Sequence, residues 1–556
     1  MDISPKVSDF SELSSPSAPV PTPLPSAPYK ESWQTREHRS CLPGRLQILI
    51  RSWMVTRWSL SRRVFSVPVP LLTTRIDVKK GDLVLTLPIV VTLVVVNAIL
   101  AGSRSVGGSG TIATLGLLLV FFFAIRNNVL LLELTGISFE RALFYHKLFA
   151  YTTILLSALH GLAYLLAHHH GDEQDKDSKV TTGTVTFVAL ILLLTMSLNF
   201  IRRQFFEIFM KTHWILFLIV VIVGVIHGAA LALVGVVPWL VDLVFRLVYR
   251  ARIYNNGTFF KKKKSTTSMG VIASDQVSVA TLHGSITRIS FPRVRKDTGE
   301  MFEFQAGQYA FLCIPTISRL QWHPFTISSA PHEDVVSFYI KASGDWTNKL
   351  FELASKNDGA PLDILVDGAY GRVSIDLENP EIYAHFALFA GGIGITPMRS
   401  ILNWLHYERY TLDRSEIQTV RFTWAVPNLD VIKAFMGNID ANGEESAGSA
   451  GYFAREIFHG DVNSAFHSEF YVTEGVRDIE DPVDQQLSQY LHYGSRFDCI
   501  EILRELGEQA KRDGKDRVAV LVCGPASMVR AVLDTSMTFS KVINVKFDVH
   551  FELFEL

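Results

Sequence analysis

The sequence has almost no net charge, no closely spaced cysteines and no amino-terminal apolar segment, and each of these features narrows the class of protein. Its 53 Lys and Arg residues nearly balance 54 Asp and Glu residues, so no overall field points to a nucleic acid or to an acidic partner. The cysteines lie far apart, which fits reduced thiols and argues against a zinc ribbon or a disulfide framework. They are Cys41, Cys313, Cys499 and Cys523. Residues 1–44 begin with a stretch rich in Pro and Ser without an apolar core, which predicts a disordered tail and not a secretory signal peptide.

Long apolar stretches dominate the next part of the chain. Hydrophobic residues make up 48% of the sequence and charged residues only 19%. Successive stretches are long enough to cross roughly 30 Å of hydrocarbon. They lie at 82–102, 110–125, 142–167, 184–201, 209–234 and 236–248. The pattern predicts a six-helix transmembrane bundle over residues 81–250, preceded at 45–80 by a basic segment that is either an interfacial helix or a linker.

The basic residues of the connecting loops predict the orientation of this bundle. Lys and Arg concentrate at one end of the predicted helices, and loops rich in these residues face the cytoplasm. The residues are Lys79, Lys80, Arg126, Arg141, Arg202, Arg203, Lys211, Arg250, Arg252 and Lys261 to Lys264. We therefore expect both termini in the cytosol and a multi-pass protein of the plasma membrane.

Four histidines inside the apolar region carry the clearest chemical pattern. His146 and His160 lie fourteen residues apart in the third predicted helix, and His213 and His227 repeat that spacing in the fifth. Fourteen steps of about 100° return to the same helix face, about 21 Å further along. Buried ionisable side chains need a compensating partner, and the iron of two stacked haems would supply one to each pair. A lone histidine would more often be a packing residue, and we read the cluster at 168–170 as solvated.

After residue 264 the pattern changes to short strands and then to alternating strands and helices. This order predicts an antiparallel β-barrel over 265–378 and a parallel-sheet α/β domain over 379–556. The stretch 438–468 reads as an insertion whose Gly- and Ser-rich centre predicts a loop without assignable chemistry.

Two segments of the predicted barrel suit a flavin. In His323-Pro324-Phe325-Thr326, Phe325 can line a flat slot and Thr326 can contact the reactive flavin N5. Further on, the stretch IKASGDWTNKL predicts a strand, a glycine turn and a helix start, whose backbone amides favour a pyrophosphate. The cofactor-binding candidates there are Lys341, Gly344 and Thr347.

Two strand ends in the α/β domain suit a nucleotide. The stretch LFAGGIGITPM joins an apolar strand to a helix through a turn in which glycines let the backbone approach a phosphate. The stretch VAVLVCGPASMV predicts a second such strand, and the carboxyl ends of both strands would border one crevice. The candidate residues are Gly391, Gly392, Gly394, Thr396, Pro397, Cys523, Gly524 and Pro525.

From residue 82 to the C-terminus, these motifs resemble the ferric reductase family, which is related to the NADPH oxidases. The HPFT, GGxGxTP and CGP motifs and the stretch RNNVLLLELTGISFERALFYHK carry the resemblance. It implies two b-type haems held by the four histidines and a ferredoxin-reductase-like module for FAD and NADPH. It further implies Thr326 and Cys523 at the reacting centre, Arg496 as the NADPH selector and Phe554 stacked on the flavin. Arg496 stands in Gly-Ser-Arg-Phe, where many relatives have Gly-Arg-Pro.

The resemblance implies transfer of electrons from NADPH across the bilayer, and three activities remain open. The first is reduction of ferric or cupric chelates, which the equal fourteen-residue spacings favour, because oxidases usually shorten the second spacing by one. The second is an NADPH oxidase that produces superoxide, although the sequence contains no EF-hand loop. The third is a haem-binding subunit with an inactive reductase module. We expect the lipid bilayer as a partner, with an iron transporter or a regulatory subunit as candidates, and no nucleic acid.

Overall fold

A computed structural model gives the fold. It describes residues 78–124, 139–169, 177–241, 271–294 except 273, 301–356 except 319–320, 362–436 except 372 and 380, and 464–552, with single residues 69, 296, 453 and 457. All of them from residue 69 onward belong to one compact unit, Leu60–Leu556. The tail at 1–44, the basic segment before residue 69, and Phe554 lie outside the described residues.

Apolar helices form the first half of the described chain. They are α1 (Lys80–Gly102), α2 (Val106–Phe122), α3 (Phe139–His169), α4 (Asp177–Met196), the short α5 (Asn199–Gln204), α6 (Phe206–His227) and α7 (Ala232–Val241). Large apolar side chains such as Ile99, Leu165 and Ile226 are more than 60% exposed on their outer faces. Lipid solvates such surfaces, whereas water does not.

The expectation of six spans is only partly met. Within the described residues, α1, α3, α4 and α6 are long and apolar enough to cross a membrane, whereas α2 and α7 are shorter. The fifth span was predicted to run to residue 234, but α6 ends at His227, because Gly228 adopts a φ of 121° that breaks the helix. The apolar run continues past this glycine, so hydropathy alone does not reveal the break. Residues 242–248 of the sixth span lie outside the described part.

In the described residues that follow, seven antiparallel strands and one α-helix are present. They are β1 (Val271–Ile272), β2 (Ser278–Leu282), β3 (Ile286–Pro292), β4 (Tyr309–Cys313), β5 (His323–Thr326), β6 (Val335–Lys341), α8 (Asp345–Lys356) and β7 (Ile364–Tyr370). One sheet has the order β1-β7-β4-β5 and the other the order β2-β3-β6. Both sheets bury side chains in one shared core, for example Ile289 and Phe338 against Leu312 and Ile364. The closed barrel that we predicted is not confirmed.

The last part is a six-stranded, wholly parallel sheet with helices. Its elements are β8 (His385–Gly391), α9 (Ile395–Tyr410), β9 (Thr419–Val426), α10 (Asp430–Met436), β10 (Phe466–Val472), α11 (Pro482–Gln486), β11 (Leu491–Tyr493), α12 (Cys499–Arg512), β12 (Arg517–Cys523), α13 (Ala526–Val542) and β13 (Lys546–Glu552). The order is β11-β10-β9-β8-β12-β13. The predicted insertion at 438–468 overreaches, because its last residues already begin β10; most of it lies outside the described residues.

Candidate functional site

The four membrane histidines form two facing pairs. The ring centroids of His146 and His213 lie 6.4 Å apart, and those of His160 and His227 lie 6.0 Å apart. Helix α3 packs mainly on α1 and α2, and α6 packs mainly on α4. The sequence spacing therefore gives the arrangement that it predicts, with one pair towards each end of the two helices.

Hydrogen bonds hold the rings of two of these histidines. His146 Nδ1 lies 3.0 Å from the carbonyl oxygen of Val120 on α2, and His227 Nδ1 lies 3.0 Å from that of Lys179 on α4. A carbonyl only accepts, so each Nδ1 carries the proton and each Nε2 keeps a free lone pair. Metal-binding histidines commonly have this second bond to a carbonyl, which fixes the tautomer and the ring orientation.

Glycines support the rings of His160 and His227. A Cβ added at Gly110 on α2 would lie 3.0 Å from His160 Cε1, and one added at Gly183 on α4 would lie 2.7 Å from His227 Cε1. Both imidazole rings therefore pack directly against a glycine, with no side chain between the ring and the backbone. At Gly161, next to His160, an added Cβ would meet nothing within 4 Å. Among these three glycines, only the two that face the rings of His160 and His227 are closely packed.

The two pairs fit axial ligation of haem. Metal to imidazole-nitrogen bonds are about 2 Å long, and the ring centroid lies about 1 Å behind the nitrogen, so two ligands on one iron place their centroids about 6 Å apart. The observed separations of 6.4 and 6.0 Å match this value. The Nδ1 atoms of His160 and His213 have no hydrogen-bond partner among the described residues, so the fit is better supported for His146 and His227.

The HPFT segment forms β5, and its final residue is buried. Thr326 is 6% exposed and pairs with Tyr309 of β4, whereas Phe325 and His323 are half-buried. Trp346 at the start of α8 packs against both aromatic rings, with centroids 4.5 Å from His323 and 5.7 Å from Phe325. Sequence reasoning missed Trp346, although it stands inside the IKASGDWTNKL stretch. This aromatic wall suits the flat ring system of a flavin.

The predicted turn after β6 is present, with Thr347 in the first turn of α8. The Thr347 hydroxyl oxygen accepts hydrogen bonds from the backbone amides of Ser343 and Gly344, at 3.0 and 2.9 Å. Thr347 therefore caps the helix itself, and those two amides are occupied in this conformation. Lys341 is the last residue of β6, two residues before the turn. Binding of a pyrophosphate by these residues stays a prediction.

The glycine turn lies at the switch point of the parallel sheet. Strands β8 and β12 are neighbours, and the chain leaves them in opposite directions, towards β9 and towards β13. Ligands in open parallel sheets bind at such a point. Gly392 has a φ of 55°, and a Cβ added there would meet nothing within 4 Å, so open space lies above it. Thr396 and Pro397 stand in the first turn of α9.

The CGP segment backs this turn. A Cβ at Gly391 would lie 2.5 Å from the Pro525 ring. A Cβ at Gly394 would collide with the backbone of Cys523, and one at Gly524 would collide with Met528. Burial, and then the carboxylate of Glu552, raises the pKa of the Cys523 thiol well above its usual range. The thiol therefore stays protonated at neutral pH. The three glycines are required because the ends of β8 and β12 pack too closely to admit a side chain.

A second residue that sequence reasoning missed fixes the same turn. The buried indole of Trp424, in β9, donates a 2.9 Å hydrogen bond to the carbonyl oxygen of Gly392. Arg496 is exposed in the loop after β11, next to Phe497, whose ring stacks on that of Phe389 in β8 with centroids 5.4 Å apart. The role of Arg496 as NADPH selector stays a prediction.

Three family models match consecutive parts of the chain. The model described as ferric reductase like transmembrane component matches residues 109–224. The model described as FAD-binding domain matches 271–374, and the ferric reductase NAD binding domain matches 383–537. The chain belongs to the ferric reductase and NADPH oxidase superfamily. Members of this superfamily are membrane oxidoreductases, and the chain accordingly has a membrane domain followed by domains that bind FAD and NADPH.

The relatives of this chain include both NADPH oxidases and ferric reduction oxidases. NADPH oxidase 1 of Rattus norvegicus is 26% identical over 401 residues, which cover 66% of this chain and 68% of the oxidase. Ferric reduction oxidase 8, mitochondrial, of Arabidopsis thaliana is 28% identical over 327 residues, which cover 55% of this chain and 40% of the plant protein. A solved ferredoxin NADP+ reductase of Neisseria gonorrhoeae matches 50% of this chain and 98% of its own, at 16% identity and a TM-score of 0.32, a score too low to add to the fold described above.

Proposed function

We propose that this chain transfers electrons from cytosolic NADPH, through FAD and two b-type haems, to a ferric or cupric complex on the opposite face of the membrane. The observation that carries the proposal is the pair of facing imidazole sites on α3 and α6, with centroids 6.4 and 6.0 Å apart. Two such sites at different depths connect the two faces of a bilayer. A single site would leave one face without a redox centre.

The residues have separate roles in this proposal. His146 and His213 would hold the cytosolic haem, and His160 and His227 the outer one. FAD, when bound, accepts a hydride from NADPH and releases its electrons singly, which matches a two-electron donor to one-electron haem irons. Thr326 would contact the flavin beside its reactive edge, Trp346 would support the aromatic wall of the slot, and the buried Cys523 would stay protonated against the nicotinamide.

The charge distribution supports the direction of transfer. Lys79, Lys80, Arg141, Arg202 and Lys211 lie at the end of the helices that holds His146 and His213. Cytoplasmic loops are rich in such residues, so this end and both termini would face the cytosol at the plasma membrane. Outward movement of one electron is favoured by an inside-negative potential by about 2.3 kcal/mol per 100 mV.

The finer organisation is also part of the proposal. We infer six spans over 81–250, with α2 and α7 as the short ones, a flavin barrel over 265–378 and a nucleotide domain over 379–556. We include α2 among the spans of 81–250, beside the four long helices, because it contacts a histidine of each pair. An iron transporter or a regulatory subunit would be a partner on this arrangement.

The second candidate function is an NADPH oxidase, which the oxidase relatives favour. Equal fourteen-residue spacings of both histidine pairs favour the metal reductase. One experiment separates them: the full chain in nanodiscs, loaded with FAD and haem, is given NADPH with and without a ferric chelate. We expect ferric reduction that superoxide dismutase does not inhibit. Reduction that superoxide dismutase abolishes would identify an oxidase.

The third candidate, a haem-binding subunit with an inactive reductase module, makes a different prediction in the same preparation. Such a chain would show the low-spin b-type absorption and would never oxidise NADPH. The position of the glycine turn and the CGP segment at the switch point of the sheet disfavours it, because ligands in open parallel sheets bind at such a point.

A further inference from the structure

A buried arginine joins the flavin part of the chain to the nucleotide part. Arg399 stands in the second turn of α9, three residues after Thr396, and is 0% exposed. A guanidinium cannot lose its charge in a protein, so complete burial requires acceptors that surround it. The partners of Arg399 therefore identify what this part of α9 is built to hold.

The acceptors come from the segment that follows HPFT. Arg399 Nη1 donates to the carbonyl oxygen of Ser328, two residues after Thr326. Its Nη2 donates to the carboxylate of Glu333, at 3.2 and 3.4 Å from the two oxygens. One planar guanidinium thus bridges a backbone carbonyl and a carboxylate in the same loop, which the single ammonium of a lysine cannot reproduce.

Neighbouring residues of α9 extend the same contact. Ser400 Oγ donates to the carbonyl oxygen of Ser329 at 2.6 Å, and Asn403 Nδ2 donates to Glu333 Oε1 at 2.9 Å. Glu333 Oε1 also accepts from the backbone amide of Ala330 at 3.0 Å, which closes the loop on itself. One face of the first turns of α9 therefore contacts residues 328–333 through these hydrogen bonds.

We propose that Arg399, through Ser328 and Glu333, is a positioning residue for hydride transfer. It fixes the flavin strand β5, which ends at Thr326, relative to the glycine turn that begins α9. Hydride transfer requires the reacting atoms to be held within a narrow distance, and a displacement of about 1 Å can lower the rate by about 100-fold. The reaction breaks the C–H bond at nicotinamide C4 and forms an N–H bond at flavin N5, so two electrons and one proton move together.

The proposal rests on transfer from NADPH to FAD and does not depend on the acceptor outside. The test uses the full chain in detergent, loaded with FAD, and follows anaerobic reduction of the flavin at saturating NADPH. We expect R399M to lower the rate per bound flavin by about 10- to 100-fold while the Kd for NADP+ changes by less than about threefold. R399K should recover part of the rate, because it restores one of the two bridges.

Two further measurements distinguish positioning from a general loss of structure. The deuterium isotope effect on flavin reduction, with NADPH labelled at the transferred position, should increase in R399M because hydride transfer becomes slower. The double variant R399M/E333Q should be no slower than R399M, because the two residues act as one unit. R409M is the matched control: Arg409 lies on the same helix over the Tyr410 ring, at 5.9 Å, and its substitution should leave the rate unchanged.

Several outcomes would overturn the proposal. If R399M and R399K reduced bound flavin at the wild-type rate, Arg399 would have no positioning role. If R399M failed to retain FAD, R399K and E333Q, scored per bound flavin, would decide, and wild-type rates in both would overturn it. If the wild-type chain reduced its flavin normally but did not reduce a ferric chelate, only the proposed acceptor would be contradicted.

Discussion

Trp424 and Gly392 are joined by a 2.9 Å hydrogen bond from the indole nitrogen to the glycine carbonyl. The bond crosses from β9 to the turn after β8, and Gly392 has a φ of 55°, a conformation that glycine adopts without steric cost. Glycine makes the turn accessible to a phosphate, but it also makes the turn flexible. The indole supplies the restraint that the glycines themselves cannot.

Replacing Trp424 by Phe should weaken nucleotide binding. The change removes the hydrogen bond and keeps an aromatic ring in the core, and a neutral hydrogen bond contributes about 0.5–1.5 kcal/mol. We expect the Kd for NADP+ to increase by about 3- to 10-fold with FAD content unchanged, as measured by calorimetry on the full chain. W404F is the control, since Trp404 is buried in the same core. If both variants bound NADP+ with equal affinity, Trp424 would have no specific role in nucleotide binding.

Replacing His160 or His227 by Ala should abolish reduction of the external acceptor and leave NADPH-driven flavin reduction largely intact. Each change removes one of the two proposed ligands of the second haem and leaves the FAD and NADPH domains untouched. Anaerobic spectra should show about half of the b-type haem signal. H168A, at the exposed outer end of α3, should behave as wild type. Loss of flavin reduction in the H160A or H227A variant would contradict the assigned path.

An alanine at Gly183 should disturb the haem that we propose between His160 and His227. The new Cβ would lie 2.7 Å from His227 Cε1, and a ring fixed by an iron bond cannot move away freely. We expect a lower content or a changed reduction potential of one of the two haems, seen in a spectroscopic redox titration. G161A offers the comparison, because its Cβ would meet nothing within 4 Å. Identical titrations for the two variants would show that the glycine at 183 does not support the ring.

Acid should destabilise the junction that contains Arg399. Burial lowers the pKa of His332 to about 4, with Glu333 opposing the shift and Arg399, Arg293 and His406 adding to it. In the unfolded chain the pKa of this histidine is near 6.5. Between about pH 6.5 and 4, His332 is therefore protonated in the unfolded chain and neutral in the folded chain. Stability is therefore complete above about pH 6.5 and falls as the pH decreases towards 4, by up to about 3 kcal/mol.

This pH dependence can be measured through the release of FAD on heating the full chain. Between pH 7.0 and 5.5 the His332 contribution amounts to about 1 kcal/mol, a few degrees in the melting temperature. The H332N variant should lose that part of the decrease, although it also loses the stacking of His332 on Tyr407, at 4.1 Å. Parallel curves for variant and wild type would assign the acid sensitivity to other groups.

Periodic features of this fold could be predicted from the sequence. The spacing of His146 and His160 fixes their common helix face, and glycine turns between apolar strands and helices mark β8 and β12. Both depend on local geometry, which the order of residues determines directly. The facing pairs and the adjacent parallel strands are present in the structure. Ligation of haem by those pairs stays a prediction.

Features that depend on distant segments could not be predicted. Arg399 meets Ser328 across 71 residues and Trp424 meets Gly392 across 32, and no local pattern records such meetings. The end of α6 at His227 was missed for another reason: the residues on both sides of Gly228 are equally apolar. Alternation of side chains indicates strands, but it does not tell whether two sheets close into one barrel.

The short helix α2 contacts histidines of both pairs, through the Val120 carbonyl at His146 and through Gly110 at His160. With 17 residues, α2 is about 25 Å long, less than the roughly 30 Å of bilayer hydrocarbon. A segment shorter than the hydrocarbon layer is accommodated by local thinning of the bilayer, so a thicker bilayer would strain α2 more than its longer neighbours. Because α2 contacts a proposed haem ligand of each pair, we expect the lipid composition of the membrane to shift the two redox potentials together.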